Sequence, residues 1–262
     1  MVFTEKTVDY ELYVYLNGKL IYKKWLKTGQ SKVFDIMAYD KYTLKSINSE
    51  REQLNNMNIK ETWISLTNKY SQDQELIDEL WLEIEQAHTA KGRHYHNLNH
   101  LAYMIDLALK FKDALDDYDV VLFSIFYHDF VYNVKKTDNE QKSAEVAAQK
   151  LVELNVPEEK VIRCHKQILA TKKHELATDQ DCNYLLDFDL AILGDTHENY
   201  KNYTSKVREE YAMYPDFMYK MGRKKVLKHF IEMDRIFKTQ EFYQSHEERA
   251  KENLRLELSS LQ

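Results

Sequence analysis

The stretch that decides the fold is "DYDVVLFSIFYHDFVY", residues 117–132. From Val120 to Tyr127 only Ser124 interrupts a run of apolar or aromatic side chains, so a helix here is apolar on nearly every side and needs other helices around it. The run ends on His128 and Asp129. Burying a carboxylate beside an imidazole is costly unless something charged compensates both, and a divalent cation would do so. The stretch is therefore the expected centre of a helical bundle, with a candidate site at its C-terminal end.

Outward from this centre, helical periods run from about residue 60 to the end of the chain. Leu76, Leu80 and Ile84 fall on one predicted helix face, and Leu101, Met104, Leu107 and Leu109 on another. Asp138 is the predicted cap of the helix that follows, and Pro157 its end. Further helices are predicted over 158–170, 179–193, 197–213 and 217–262, the last read as a long scaffold helix. Five glycines and two prolines in 262 residues also favour long helices. Residues 9–26 instead alternate apolar and polar side chains around Asn17-Gly18, the pattern of a β-hairpin. Residues 31–47 suit either a helix or a strand, and 48–58 read as a linker. The expected architecture is mainly α: a helical domain over 60–262 with a small β-containing extension over 1–50.

Composition narrows the function classes. A net charge of -6 with 44% hydrophobic residues argues against both a disordered chain and a basic nucleic-acid binder. Cys164 and Cys182 lack a CxxC spacing and read as reduced core thiols. The opening residues carry acids where a signal peptide would be apolar, and no stretch reaches roughly 18 uncharged residues. A soluble, cytoplasmic protein with no nucleic-acid surface and no membrane partner is expected, with a homodimer left open.

The chemistry-bearing residues lie in three places. "GRHYHNLNHL", residues 92–101, holds three of the ten histidines. His96 and His100, four apart on a predicted helix start, would share a face, and the spacing alone suits a surface pair as well as a metal pair. His128-Asp129 closes the central helix. In "NYLLDFDLAILG" (183–194), Asp187 and Asp189 sit two apart, about 200° around a helix, so only one is expected to point inward with Leu185, Leu186 and Ile192. Three helices that each offer nitrogen or oxygen ligands out of an apolar background are what a metal site inside a bundle requires.

The order H…HD…D, carried by His100, His128-Asp129 and Asp189, resembles the signature of the HD superfamily of metal-dependent phosphohydrolases. "YHNLNHL" is similar to the YHNxxH segment of cyclic-nucleotide phosphodiesterases. From about residue 60 onward, "RHYHNLNH", "HDFVYN", "DNEQKSA", "ILATKKH", "LLDFDLAILG", "VREEY", "GRKKVL" and "ERAKENLRLEL" together resemble a bacterial family of predicted HD-superfamily phosphohydrolases of undefined substrate. The hairpin lies outside this resemblance. The resemblance implies an HD-type bundle, a metal held by His100, His128, Asp129 and Asp189, and a leaving-group role for His96.

Such a ligand set leaves positions open for water and a phosphoryl oxygen, which suits one divalent transition metal: Mn, Fe, Co or Ni, with Mg or Zn also admitted. His96 and Asp129 are the expected catalytic groups, with Glu140 as a candidate to orient the attacking water or, equally, as a first-turn helix acid. Arg93, His96 and His174 are candidate phosphate contacts; His174 is otherwise a second-metal ligand, and His165 is read as packing. The expected activity is hydrolysis of a phosphate ester or anhydride in a small molecule, with a nucleotide as the leading substrate. Its rivals are a catalytically silent metal- or nucleotide-binding module that engages a protein partner, and an HD-type diiron oxygenase.

Overall fold

A computed structural model describes the backbone of residues 10–16 and 19–26 and the whole of residues 59–261. The chain divides into two units, residues 1–55 and 56–262. In the first, β1 (Tyr10–Leu16) and β2 (Lys19–Leu26) pair antiparallel across the two positions where Asn17-Gly18 was expected to turn the chain. A register shift between Val14 and Tyr15 sets Val14 opposite Tyr22 and Tyr15 opposite Leu20. Such an extra residue on one strand sharpens the local twist. The expectations for 31–47 and 48–58 lie outside the described residues.

The second unit is helical: α1 (59–67), α2 (Gln74–Thr89), α3 (Leu98–Lys110), α4 (Tyr118–Tyr127), α5 (Asn139–Glu153), α6 (Glu158–Ala170), α7 (Gln180–Leu190), α8 (His197–Glu210), α9 (Asp216–Glu232) and α10 (Gln240–Ser260). In α4 every residue from Val120 to Tyr127 is buried, with α3, α5, α6 and α7 packed around it. At about 1.5–3 kcal/mol for each large apolar side chain removed from water, this helix alone contributes on the order of 10 kcal/mol. Trp63 of α1 completes its cover, meeting Phe126 edge-on at 5.1 Å and donating its indole N–H to Ile77 O at 3.1 Å.

The start of α4 is pinned by α7. Asp181 is fully buried and accepts from the amides of Asp116 (2.7 Å) and Asp117 (2.8 Å), while Arg163 closes an ion pair with it at 2.9 Å. Asp117 then caps α4 by accepting from the Val120 amide. These ties set the relation of α4 to α7, the two elements whose other ends carry His128 and Asp189.

Four local expectations are corrected. The inward face of α3 is Leu101, Met104, Ile105 and Ala108, and Leu109 is 61% exposed. Asp138 makes no capping bond; its carboxylate pairs instead with Lys142 at 2.8 Å. The helix it precedes ends not at Pro157 but at Leu154, where Asn155 takes a left-handed φ of 60°, and Pro157 opens α6. The long helix over 217–262 is two, interrupted at 233–239. Buried carboxylates take the backbone donors of that break. Glu247 accepts from the amides of Ile236 and Phe237, and Asp187 from those of Lys238 and Thr239 as well as the Thr239 hydroxyl.

Candidate metal centre

His128 is the C-cap of α4, where its amide still donates to Ser124 O. Its ring Nδ1 lies 2.9 Å from Ile125 O, so the proton belongs on Nδ1 and the Nε2 lone pair is free for another partner. That Nε2 is 3.3 Å from His100 Nε2, 3.2 Å from Asp129 Oδ2 and 3.8 Å from Asp189 Oδ1. His100, in the first turn of α3, has its own Nε2 at 3.2 Å from Asp189 Oδ1. Ligand atoms of His100, His128 and Asp189 all fall within 4.8 Å of one another. Both rings are almost fully buried, and the two carboxylates are 16–19% exposed.

These separations fit a shared cation. With metal–ligand bonds of about 2.1 Å, neighbouring ligand atoms of an octahedron stand about 3.0 Å apart. The contacts of 3.2 Å between His100 and Asp189 and 3.3 Å between His100 and His128 are of that size, whereas Asp129 meets His128 at 3.2 Å but lies outside the group of mutually close ligand atoms. They are also contacts among acceptors, two imidazole nitrogens and two carboxylates, which repel unless a positive charge lies among them. Without a metal, a proton on His128 supplies that charge. Burial opposes charge on His128, but Asp129 and then Asp189 outweigh it and lift the ring to about 9. Burial would raise Asp129, yet His128 and His96 hold its carboxyl well below the usual range. His100 is shifted the other way, its burial outweighing its bond to Asp189.

His174 joins the cluster by a route its lysine-flanked sequence did not suggest. Its Nε2 lies 2.9 Å from Asp189 Oδ2, and the residue holds a left-handed φ of 52° just after α6. Asp189 is thus gripped on one oxygen by His100 and on the other by His174. Asp187 and Asp189 do diverge around α7, but both point inward, Asp189 to this cluster and Asp187 to the 233–239 break.

His96 sits before α3, not within it, because Asn97 caps the helix by accepting from the Asn99 amide. Its ring centroid is 5.9 Å from that of His100. Glu210, the last residue of α8, holds it there. Glu210 Oε1 accepts from the amides of His94, Tyr95 and His96 at 2.8–3.0 Å, and Oε2 from His96 Nδ1 and the Tyr132 hydroxyl, both at 2.7 Å. Burial would raise this carboxyl, but the His96 ring and the amide donors hold it down at about 2. In return, burial's pull on His96 is overcome by Asp129 and Glu210, so its pKa is raised. Sequence reasoning gave Glu210 no role; it lies in the "VREEY" segment of the resemblance, where nothing local separates it from Glu209.

The remaining candidates lie elsewhere. The Arg93 guanidinium donates to the carbonyls of His96 (3.1 Å), Asp129 (2.7 Å) and Phe130 (2.9 Å), which ties the 92–96 loop to the turn after α4. Gly92 takes the φ of 95° that this loop requires. Glu140 is half-buried in the first turn of α5, and no hydrogen bond or ion pair among the described residues engages its carboxylate. His165 lies on α6, away from these contacts. A cavity of about 380 Å³, lined by Lys91, Gly92, Arg93, Tyr132 and Glu210 among others, adjoins the supports of His96, and none of His100, His128, Asp129 and Asp189 lines it.

No family model, no curated protein and no solved structure matches this chain.

Proposed function

We propose that the chain is a metal-dependent phosphohydrolase acting on a phosphate ester or anhydride of a small molecule, with a nucleotide as the first substrate to test. The observation that carries the reading is the convergence of His100, His128 and Asp189 from three separate segments, with Asp129 3.2 Å from His128 and His96 beside His100. Those four side chains would hold one divalent cation of the Mn, Fe, Co or Ni type. Such an ion, when bound, acidifies water and neutralises charge developing on phosphorus.

The chain's own residues supply the rest. His96 has Nδ1 committed to Glu210, so its Nε2 is the nitrogen that gives a proton to the departing oxygen, and Glu210 stabilises the cationic ring from which that proton comes. Tyr132 lies against His96, 4.5 Å between ring centroids, and shares Glu210 with it, which limits the ring's rotation. His174 fixes the orientation of Asp189, a partner role in place of the phosphate contact suggested by sequence. Arg93 places the Asp129 and Phe130 carbonyls and so supports the site, and it also lines the cavity beside the supports of His96.

The test is a screen of mononucleotides, dinucleotides, cyclic nucleotides and sugar phosphates with added Mn²⁺ or Co²⁺, measuring phosphate and pyrophosphate release separately. Turnover that Asp129→Ala abolishes is the expected result. Metal binding without turnover across the panel would point to the silent binding module, and two irons per chain to the oxygenase.

A further inference from the structure

Helix α9, "DFMYKMGRKKVLKHFIE", is fastened to the domain along one face only. Arg223 pairs with Glu257 at 2.7 Å, Leu227 is fully buried, and Tyr219 packs under Arg208. At about 100° per residue, Phe217, Met221, Lys224, Lys225 and Lys228 fall on the opposite side. There Phe217 is 66% and Met221 60% exposed, and Met218 and, from the preceding turn, Met213 extend the apolar surface. Asp216 is already paired with Arg208, and among the described residues none of Lys220, Lys224, Lys225 and Lys228 takes part in an ion pair. A free cationic face on a chain of net charge -6 is a local feature and not a result of overall composition.

We propose that this face of α9 binds the surface of an anionic phospholipid bilayer, with Phe217, Met218 and Met221 entering the headgroup region and Lys224, Lys225 and Lys228 meeting lipid phosphates. Large apolar side chains flanked by lysines on one side of a helix are what an interfacial contact needs. Charge and exposure favour an anionic bilayer: Phe217, Met218 and Met221 are 44–66% exposed beside the lysines, and none of them lines the cavity described above. Attachment through this face is peripheral, since no described helix is long and apolar enough to cross a membrane. The proposal is independent of the metal reading.

The test is co-sedimentation of the full chain with vesicles of phosphatidylcholine alone or with about 30 mol % phosphatidylglycerol. Binding to the anionic vesicles only, weakened by about 0.5 M salt, is expected. Lys224→Glu, Lys225→Glu and Lys228→Glu together should lower the partition coefficient on the order of 100-fold. Phe217→Ser with Met221→Ser should lower it on the order of 10-fold. Circular dichroism checks that each variant folds, and size-exclusion chromatography reports its assembly. No binding to anionic vesicles, equal binding to neutral ones, or binding indifferent to both sets of changes would overturn the proposal. Self-association broken by the charge reversal, without vesicle binding, would assign the face to a second copy and overturn it equally.

Discussion

Replacing Glu210 by Gln tests how the site is held together. The carboxylate is fully buried and accepts five hydrogen bonds, three on Oε1 and two on Oε2. A glutamine can keep its carbonyl toward the three amides, but its NH₂ then faces His96 Nδ1 and the Tyr132 hydroxyl. Tyr132 can turn to accept. His96 can accept only by giving up its Nδ1 proton, which removes the cationic form. Hydrogen bonds to a charged group contribute about 1.5–3 kcal/mol each and neutral ones about 1. Three weakened bonds and two reversed ones then cost about 3–5 kcal/mol, or roughly 6–20 °C in Tm for a domain of this size. Urea unfolding of both proteins, with His96 titrated by NMR, measures the two consequences together. A variant within about 1 kcal/mol of the parent, or a His96 pKa that does not fall, would refute this reading of the network.

Two further outcomes follow from the same structure. In the metal-free chain His128 is raised from 6.5 to about 9, above its unfolded value. Its contribution, at most about 3 kcal/mol, is therefore complete below pH 6.5 and is lost as pH rises through 9. Unfolding of the chelator-treated protein across that window should show the decline, and His128→Gln should flatten it. Gly194→Ala puts a Cβ 2.5 Å from the Cβ and 2.7 Å from the carbonyl oxygen of His246, backbone that cannot move without shifting α10. A loss of about 2–3 kcal/mol in denaturant unfolding is expected, and an unchanged midpoint would contradict the packing described.

The parts of the fold legible in the sequence were those where burial leaves a periodic trace. The apolar run of α4 announced a surrounded helix, and polar groups at its end and within α7 stood out because everything near them was apolar. What escaped were relations set by distant backbone. The break at 233–239 contains neither glycine nor proline; it exists because Asp187 and Glu247 satisfy its amides, and neither carboxylate announces that task. Glu210 acts on residues 114–116 positions away and differs in no local way from Glu209, which pairs with His94 on the exposed side. Arg93 read as a phosphate clamp because a guanidinium suits phosphate, while its actual partners are carbonyls, which sequence does not display.

The most direct measurement is metal content and affinity of the purified chain after chelation and reloading with Co²⁺ or Mn²⁺, followed by calorimetry and elemental analysis. One ion per chain, lost on His100→Ala or Asp189→Asn while circular dichroism stays unchanged, is the expected result. A chain that takes up no divalent ion, or whose uptake ignores those substitutions, would contradict the account.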